Sequence, residues 1–349
     1  MGAEKVQYIR VAEALAAEGL IRPADALPLK PALDALPVAI SPEVRLQIKA
    51  SNHDPAMLKQ YVPSTEETVI APHERADPIG DVAHAPMKGI IHRYQDRVLL
   101  NLLKTCAVYC RFCFRRDFVG KGEDTLTLAE TDAALDYIAA DQKLWEVILS
   151  GGDPMILSPR RLSHVAARLA DMPHIRILRL HTKVPLVAPE RITDELINAL
   201  TSSGKTIYIG LHINHPAELS PNAMDAIKRL NDAGISLISQ TVLLKDVNDN
   251  SVILAELFRK LVEHRVKPYY LHHPDLVRGT GHFRVDLATG QRIVNELRGN
   301  LSGLCQPTYM LDIPGGFGKV PIGASYIKQN EDGCLMVKDI QGAWHIYNG

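Results

Sequence analysis

From residue 89 onward, short apolar runs alternate with helix-like patterns, and this alternation restricts the fold more than any other feature of the chain. The runs are VLLNLL (98–103), EVILSGG (146–152), ILRLHT (177–182), IYIGLHIN (207–214), SLISQTVLL (236–244) and PYYLHHP (268–274). Between them lie LAETDAALDYIAA, RRLSHVAARLA, RITDELINALTSS, PNAMDAIKRLNDAG and SVILAELFRKLVEH, with a further helix pattern over 286–298. Runs this apolar are buried on both faces, which implies parallel pairing through right-handed helical crossovers. Six strands fall short of the eight of a complete barrel. A doubly wound sheet would need a Gly-rich turn after its first strand, and there is none. The expected fold class is α/β, a partial (β/α)6 barrel over 89–299.

Two segments flank the barrel. Residues 1–88 are helix-like pieces broken by Pro-rich stretches such as LIRPADALPLKPALDALP, and read as a helical arm. Residues 300–349 are Gly- and Pro-rich, with IPGGFGKVPIG and then two short strand candidates, LMVKDI and AWHIYNG. Polar residues collect at the C-terminal ends of the six runs: cysteines after the first, Gly151-Gly152-Asp153 after the second, His181 after the third, His212 and Asn214 in the fourth, His273 and Asp275 after the sixth. In parallel α/β folds that rim is where a site assembles.

The charge balance, 39 Lys and Arg against 40 Asp and Glu, gives no electrostatic ground for binding nucleic acid or an anionic membrane. The first twenty residues lack the apolar core of a signal peptide, Val6 breaks a myristoylation signal, and no 18-residue apolar run offers a span. Five cysteines, an odd number, point to a reducing compartment. A cytoplasmic protein is expected.

Three of those cysteines, Cys106, Cys110 and Cys113, fall within eight residues. Chance clustering of small buried residues is a poor account, because polar and cationic residues separate them. Structural zinc asks for four ligands, commonly as paired C-x2-C units, and no second pair is near. An iron–sulfur cluster held by three thiolates leaves one iron open to a ligand. Arg111, Arg115 and Arg116 alongside are expected to lower the thiol pKa values.

The C-x3-C-x2-C spacing, with Phe112 just before the third cysteine and SGGDP (150–154) one strand later, resembles the radical S-adenosylmethionine enzymes. The resemblance implies a [4Fe-4S] cluster on the three cysteines. It further implies S-adenosylmethionine on the open iron, bound by Phe112, Ser150, Gly151, Gly152, Asp153 and His212, and cleaved to a 5′-deoxyadenosyl radical.

LDIPGGFGKVPI (311–322) places a lysine among glycines. It is not a Walker A loop, because position 313 is Ile. Flanking glycines give access to a lysine that forms a Schiff base. From about residue 85 to 349 the chain is similar to the lysine 2,3-aminomutase family, through HRYQDRVLL, CAVYCRFCFRRDFVG, LSGGDP, HINHP, SQTVLLKDVNDN, PYYLHHPD and DIPGGFGKVPI. That resemblance implies pyridoxal phosphate on Lys319, its phosphate held by Arg93, Tyr94 and Arg97, with Gln240 at the cofactor pocket. Guanidinium forks suit a phosphate.

The implied reaction moves an amino group from C2 to C3 of an amino acid. Arg115 aligns with the position that holds the substrate carboxylate. Asp275 and Asp312 align with the pair that receives a distal ammonium, which implies lysine as substrate. His272 stands where longer family members have Tyr, and Phe317 replaces a Gly of the lysine loop. These departures, with LHxxD, leave open the branch that makes (R)-β-lysine for elongation factor P, or another amino acid. A structural zinc protein is the reading from a different class. A flavodoxin or ferredoxin as electron donor and a homo-oligomeric state are further implications of the resemblance.

Overall fold

The computed structural model describes residues 8–120 and 125–348. The expectations resting on residues 1–7 and on Gly349 lie outside the described residues. The chain begins with four short helices, α1 (Ala12–Ala17), α2 (Lys30–Ala35), α3 (Pro42–Ala50) and α4 (Pro55–Tyr61). Ser41 and Asp54 accept backbone N–H groups at the starts of α3 and α4, each followed by Pro at the first helical position. Leu15, Val44, Ile48, Met57 and Tyr61 are fully buried and belong to the same apolar core as the barrel strands. Each such side chain stabilises the folded chain by roughly 1.5–3 kcal/mol. The Tyr61 hydroxyl also donates to the Glu218 carboxylate at 3.0 Å, tying α4 to the barrel.

β1 (Ile90–Tyr94) and β2 (Arg97–Leu103) form an antiparallel hairpin. Then follow α5 (Leu128–Ala140), β3 (Glu146–Gly151), α6 (Pro159–Ala170), β4 (Ile177–Thr182), the single turn α7 (Val184–Val187), α8 (Asp194–Thr201) and β5 (Thr206–His212). After these come α9 (Pro221–Asp232), β6 (Ser236–Val242), α10 (Ser251–Glu263), β7 (Val266–His272) and α11 (Leu287–Asn300). Thr127, Ser158, Thr193, Ser220, Asn250 and Asp286 cap the six outer helices with their side-chain oxygens. These are the residues that satisfy the orphan N–H groups of a helix start. β2 to β7 pair in parallel in chain order, so the six expected β/α units are all present.

The sheet does not stop at six. β8 (Thr308–Asp312) pairs in parallel with β7, and β9 (Lys319–Pro321) runs back antiparallel, in a nine-stranded sheet ordered β1 to β9. Reading 300–322 as Gly/Pro-rich loop missed both strands. The two C-terminal strand candidates are present as β11 (Leu335–Lys338) and β12 (Trp344–Ile346), joined by β10 (Ile327–Gln329) in a separate small sheet. Three rim positions also shift: His181 lies inside β4, Gly151 closes β3, and Asn214 lies beyond β5. Among the described residues no helix is long and apolar enough to cross a membrane.

Candidate active site

The barrel interior holds a cavity of about 890 Å³ that reaches from the cysteine loop to the first residues of β2 and β3. Cys106, Cys110, Cys113, Phe112, Arg115, Ser150, Gly151, Gly152, Asp153 and His212 line it, and so do Arg93, Tyr94, Arg97, Gln240, Asp275, Asp312 and Lys319. Residues from the arm, the barrel and the C-terminal segment thus share one space.

At the cysteine end, the glycines of SGGDP act through their lack of a side chain. A Cβ on Gly151 (φ +103°) would sit 2.6 Å from the Leu103 carbonyl oxygen, and one on Gly152 would sit 2.1 Å from that of Thr105. Instead, Gly152 N donates to Leu103 O at 2.7 Å and Asp153 N to Thr105 O at 3.0 Å. The end of β3 is thereby fastened to the backbone immediately before Cys106. The Asp153 carboxylate accepts from Thr182 Oγ1 (2.6 Å), Lys183 N (2.8 Å) and Met155 N (3.1 Å). It is occupied by protein donors and shapes this loop.

The arginines around the thiols act as the sequence suggested at one thiol of the three, and there they do not prevail. Burial pushes all three thiols up, Cys110 to about 12, and only at Cys113 do Arg115, Arg116 and Arg111 pull downward. Arg111 and Arg116 face away, onto the buried Glu67: Arg111 Nε and Nη2 reach its carboxylate at 2.9 and 2.6 Å, and Arg116 Nη2 at 2.6 Å. Desolvation outweighs proximity because the guanidinium charge is already neutralised.

At the opposite edge of the sheet, Lys319 opens β9 rather than sitting in a loop, and its Nζ lies 2.5 Å from Asp312 Oδ2. Lys319 N donates to the Tyr94 hydroxyl at 3.3 Å, so the edge strands β1 and β9 meet and the sheet curls round. Arg97 stacks 3.7 Å from the Tyr94 ring centroid, within cation–π range. The turn before Lys319 is seated on the arm, where a Cβ on Gly80 would lie 2.7 Å from Gly316 N. Gln240 Nε2 lies 3.1 Å from His181 Nε2.

Three histidines in the cavity wall are kept neutral by burial: His181 and His272 well below the usual imidazole range, and His212 at about 4. Burial also raises Asp275, with the neighbouring Asp312 charge adding to it, to about 7. The two carboxylates come into electrostatic reach of one another from β8 and the segment after β7.

A model of the Radical SAM superfamily matches residues 100–258. L-lysine 2,3-aminomutase of Clostridium subterminale is 37% identical over 314 residues, 90% of this chain and 75% of that one. The chain belongs to the lysine 2,3-aminomutase family. L-lysine 2,3-aminomutase of Escherichia coli (strain K12) is 38% identical over 276 residues, covering 79% of this chain and 80% of its own. Glutamate 2,3-aminomutase of Clostridioides difficile (strain 630) is 34% identical over 269 residues, 77% of this chain and 64% of its own.

This family of isomerases works with a [4Fe-4S] cluster, S-adenosylmethionine and pyridoxal phosphate, and the cavity suits all three. Among the described residues no three His, Cys, Asp or Glu side chains are drawn together around one ion position. Cys106, Cys110 and Cys113 lie within electrostatic reach of one another in the cavity wall, a set of three soft donors of the kind that would hold an iron–sulfur cluster. His272 Nε2 and Asp312 Oδ1 are buried polar atoms without a hydrogen-bond partner among the described residues. Buried polar atoms are ordinarily paired, so these two call for a ligand. The aminomutase motifs in the sequence did not single out Asp81, Glu67, Lys183 or His181. Lys183 pairs with Glu218 and donates to His212 O at 3.0 Å, holding β5's end. No motif marks these residues, because each works through a partner 12 or more residues away.

Proposed function

We propose that this chain rearranges L-lysine to β-lysine, with the thiols, the lysine and the carboxylate pair acting in one cavity. The observation that carries the reading is that Asp275 lies near enough to Asp312 for that charge to raise it, in the same space as Lys319 and the three cysteines. Two buried carboxylates repel, and a substrate ammonium between them relieves that repulsion. A glutamate side chain would add a third negative charge there.

The cluster with S-adenosylmethionine supplies a hydrogen-abstracting radical, and pyridoxal phosphate supplies the π-system across which nitrogen moves. Cys106, Cys110 and Cys113 hold the irons. Ser150, Gly151, Gly152 and Asp153 shape the pocket beside them, with Phe112 and His212 on its wall. Arg93, Tyr94 and Arg97 receive the phosphate, Lys319 carries the cofactor, and Gln240 borders it. Arg115 takes the substrate carboxylate. Asp312 balances the Lys319 ammonium at 2.5 Å, and with Asp275 it takes the distal ammonium. The neutral His181, His212 and His272 add no competing positive charge. The surrounding barrel excludes water, which protects a reactive radical and strengthens each polar contact. A low-potential carrier such as a flavodoxin or ferredoxin would deliver the electron, in the cytoplasm, to a homo-oligomer.

The test is anaerobic incubation of cluster- and pyridoxal-replete protein with L-lysine, L-glutamate and other amino acids, followed by chiral analysis of the products. β-Lysine from lysine alone supports the reading, and its configuration separates free β-lysine production from the elongation factor P branch. Turnover of glutamate and not lysine would reject it.

A further inference from the structure

Between the phosphate end and the carboxylate end of the cavity lies a residue that the roles above leave unused. Asp81 sits in the turn DPIGD of the arm, with its backbone N–H and that of Val82 both donating to the Asp77 carboxylate at 2.9 Å. Its own carboxylate is shared between two guanidinium groups. Oδ2 accepts from Arg115 Nε at 3.2 Å and Nη2 at 2.9 Å, and Oδ1 accepts from Arg93 Nη2 at 3.2 Å. Asp81, Arg93 and Arg115 have side chains only 14%, 9% and 10% exposed. The same turn carries Gly80, against which the Gly315–Gly316 turn before Lys319 is packed.

The donor count on Arg115 makes the consequence specific. A guanidinium has five N–H groups in a rigid fork. Asp81 takes one side edge, Nε and Nη2, and Ser150 Oγ accepts from Nη1 at 2.8 Å. One N–H on each of Nη1 and Nη2 is left, the pair that a carboxylate engages end-on. The fork is fixed from two sides and offers its remaining edge. Through Oδ1, the same anchor reaches Arg93, whose Nη2 also donates to the Ile79 carbonyl of the same turn.

We propose that Asp81 is a positioning residue that sets where a substrate carboxylate lies relative to the cofactor phosphate, and thereby selects amines bearing an α-carboxylate. This inference rests on the reading of Arg93 and Arg115 given above. One carboxylate spans the two cationic groups that read opposite ends of the cofactor–substrate pair. A shift of its position moves both. Without it, two guanidinium groups in a desolvated wall repel and lose their common orientation.

The test uses cluster-reconstituted, pyridoxal-loaded protein under anaerobic conditions without reductant, so that no turnover occurs. The absorbance of the bound pyridoxal is titrated with L-lysine and, separately, with 1,5-diaminopentane, the same diamine without the carboxylate. Wild-type protein should prefer lysine. In Asp81→Asn and in Asp81→Glu, which keeps the charge but displaces it by a methylene, lysine binding should weaken by about tenfold, the loss of one charged hydrogen-bond contact. Diaminopentane binding should hold, and pyridoxal should be retained less tightly on dialysis, at unchanged iron content. A purely electrostatic role predicts otherwise: tighter lysine binding in Asp81→Asn and no change in Asp81→Glu. That result overturns the proposal, as would wild-type preference in both variants, or a loss of lysine binding that merely follows loss of iron. Wild-type protein that binds neither amine would instead reject the reading of the site, and the inference with it.

Discussion

Lys319 and Asp312 are register partners across the antiparallel pair β8–β9, with Nζ 2.5 Å from Oδ2. The Asp312 side chain is 5% exposed and its second oxygen has no partner among the described residues. One carboxylate therefore balances the charge of Lys319 and keeps an acceptor that is unused among the described residues. On the function proposed above, cofactor and substrate recognition would meet at one side chain.

Substituting either carboxylate should separate substrate recognition from cofactor content. Removing one partner of a desolvated charged pair costs on the order of 2–5 kcal/mol. Asp275→Asn and Asp312→Asn should each weaken the use of lysine by tens-fold or more in steady-state assays. Iron content should stay at the wild-type level, and pyridoxal should remain bound. A double variant that kept both cofactors and still rearranged lysine at the wild-type rate would remove these residues from the substrate site.

The raised Asp275 also fixes the sign of a pH effect. In the empty site burial, and then the Asp312 charge, hold its pKa at about 7. An ammonium bound beside it favours the ionised form, so below pH 7 binding must displace a proton. Lysine affinity should fall as pH drops through 7, by up to about tenfold per unit, and level off above it. For folding of the empty protein the sign is reversed. The folded pKa lies above the unfolded one, so the stability this group contributes is complete at low pH and is lost as pH rises towards 7. Spectral titrations with lysine at pH 6, 7 and 8 should show the affinity trend, and Asp275→Asn should flatten it.

How much of this was legible in the sequence depended on whether a residue works through its own spacing or through a distant partner. VLLNLL and EVILS are apolar enough to be strands on sight, and the capping residues mark the helices between them. The cysteine spacing and SGGDP mark one end of the cavity. TYMLD was not recognised, being a five-residue strand that opens on an exposed Thr308. KVP was missed because all three residues are exposed and glycines precede them. Arg111 and Arg116 were read as thiol-tuning because they are adjacent to the cysteines. Their partner, Glu67, lies 44 and 49 residues upstream in the arm, and only the fold shows that it takes them away. Asp81 was missed for the same reason: its value lies in the two guanidinium groups it joins.

Glu67 gives a stability prediction. Its side chain is fully buried, accepts three guanidinium hydrogen bonds, and also accepts from Ser64 N at 3.0 Å. Breaking such a pair leaves buried cations uncompensated, at about 3–5 kcal/mol. Glu67→Gln keeps the volume and removes the charge, so chemical denaturation should show a lower midpoint by that equivalent. Iron content should fall with it, because Arg111 and Arg116 flank Cys110 and Cys113. A Glu67→Gln protein with unaltered denaturation would show that the network contributes little.

Gly152 offers a test of the loop that holds Cys106. No positive φ is involved, so alanine is allowed by the backbone and only the surroundings object. Its Cβ would meet the Thr105 carbonyl oxygen at 2.1 Å and the Thr105 nitrogen at 2.7 Å, and both are backbone atoms that cannot rotate aside. The end of β3 and the segment 103–105 must then separate, breaking the Gly152 N–Leu103 O bond and displacing Cys106. Forced overpacking of this kind costs typically about 1–3 kcal/mol. The damage should also be local, since Lys319, Asp312 and Tyr94 lie at the joined sheet edges. Gly152→Ala should therefore lose iron while still binding pyridoxal phosphate on Lys319. Gly303→Ala is the matched control: no positive φ applies there, and nothing lies within 4 Å of the added carbon. Metal analysis and borohydride trapping on both variants decide the matter, and a Gly152→Ala protein with wild-type iron content would show that this close approach does not hold Cys106 in place.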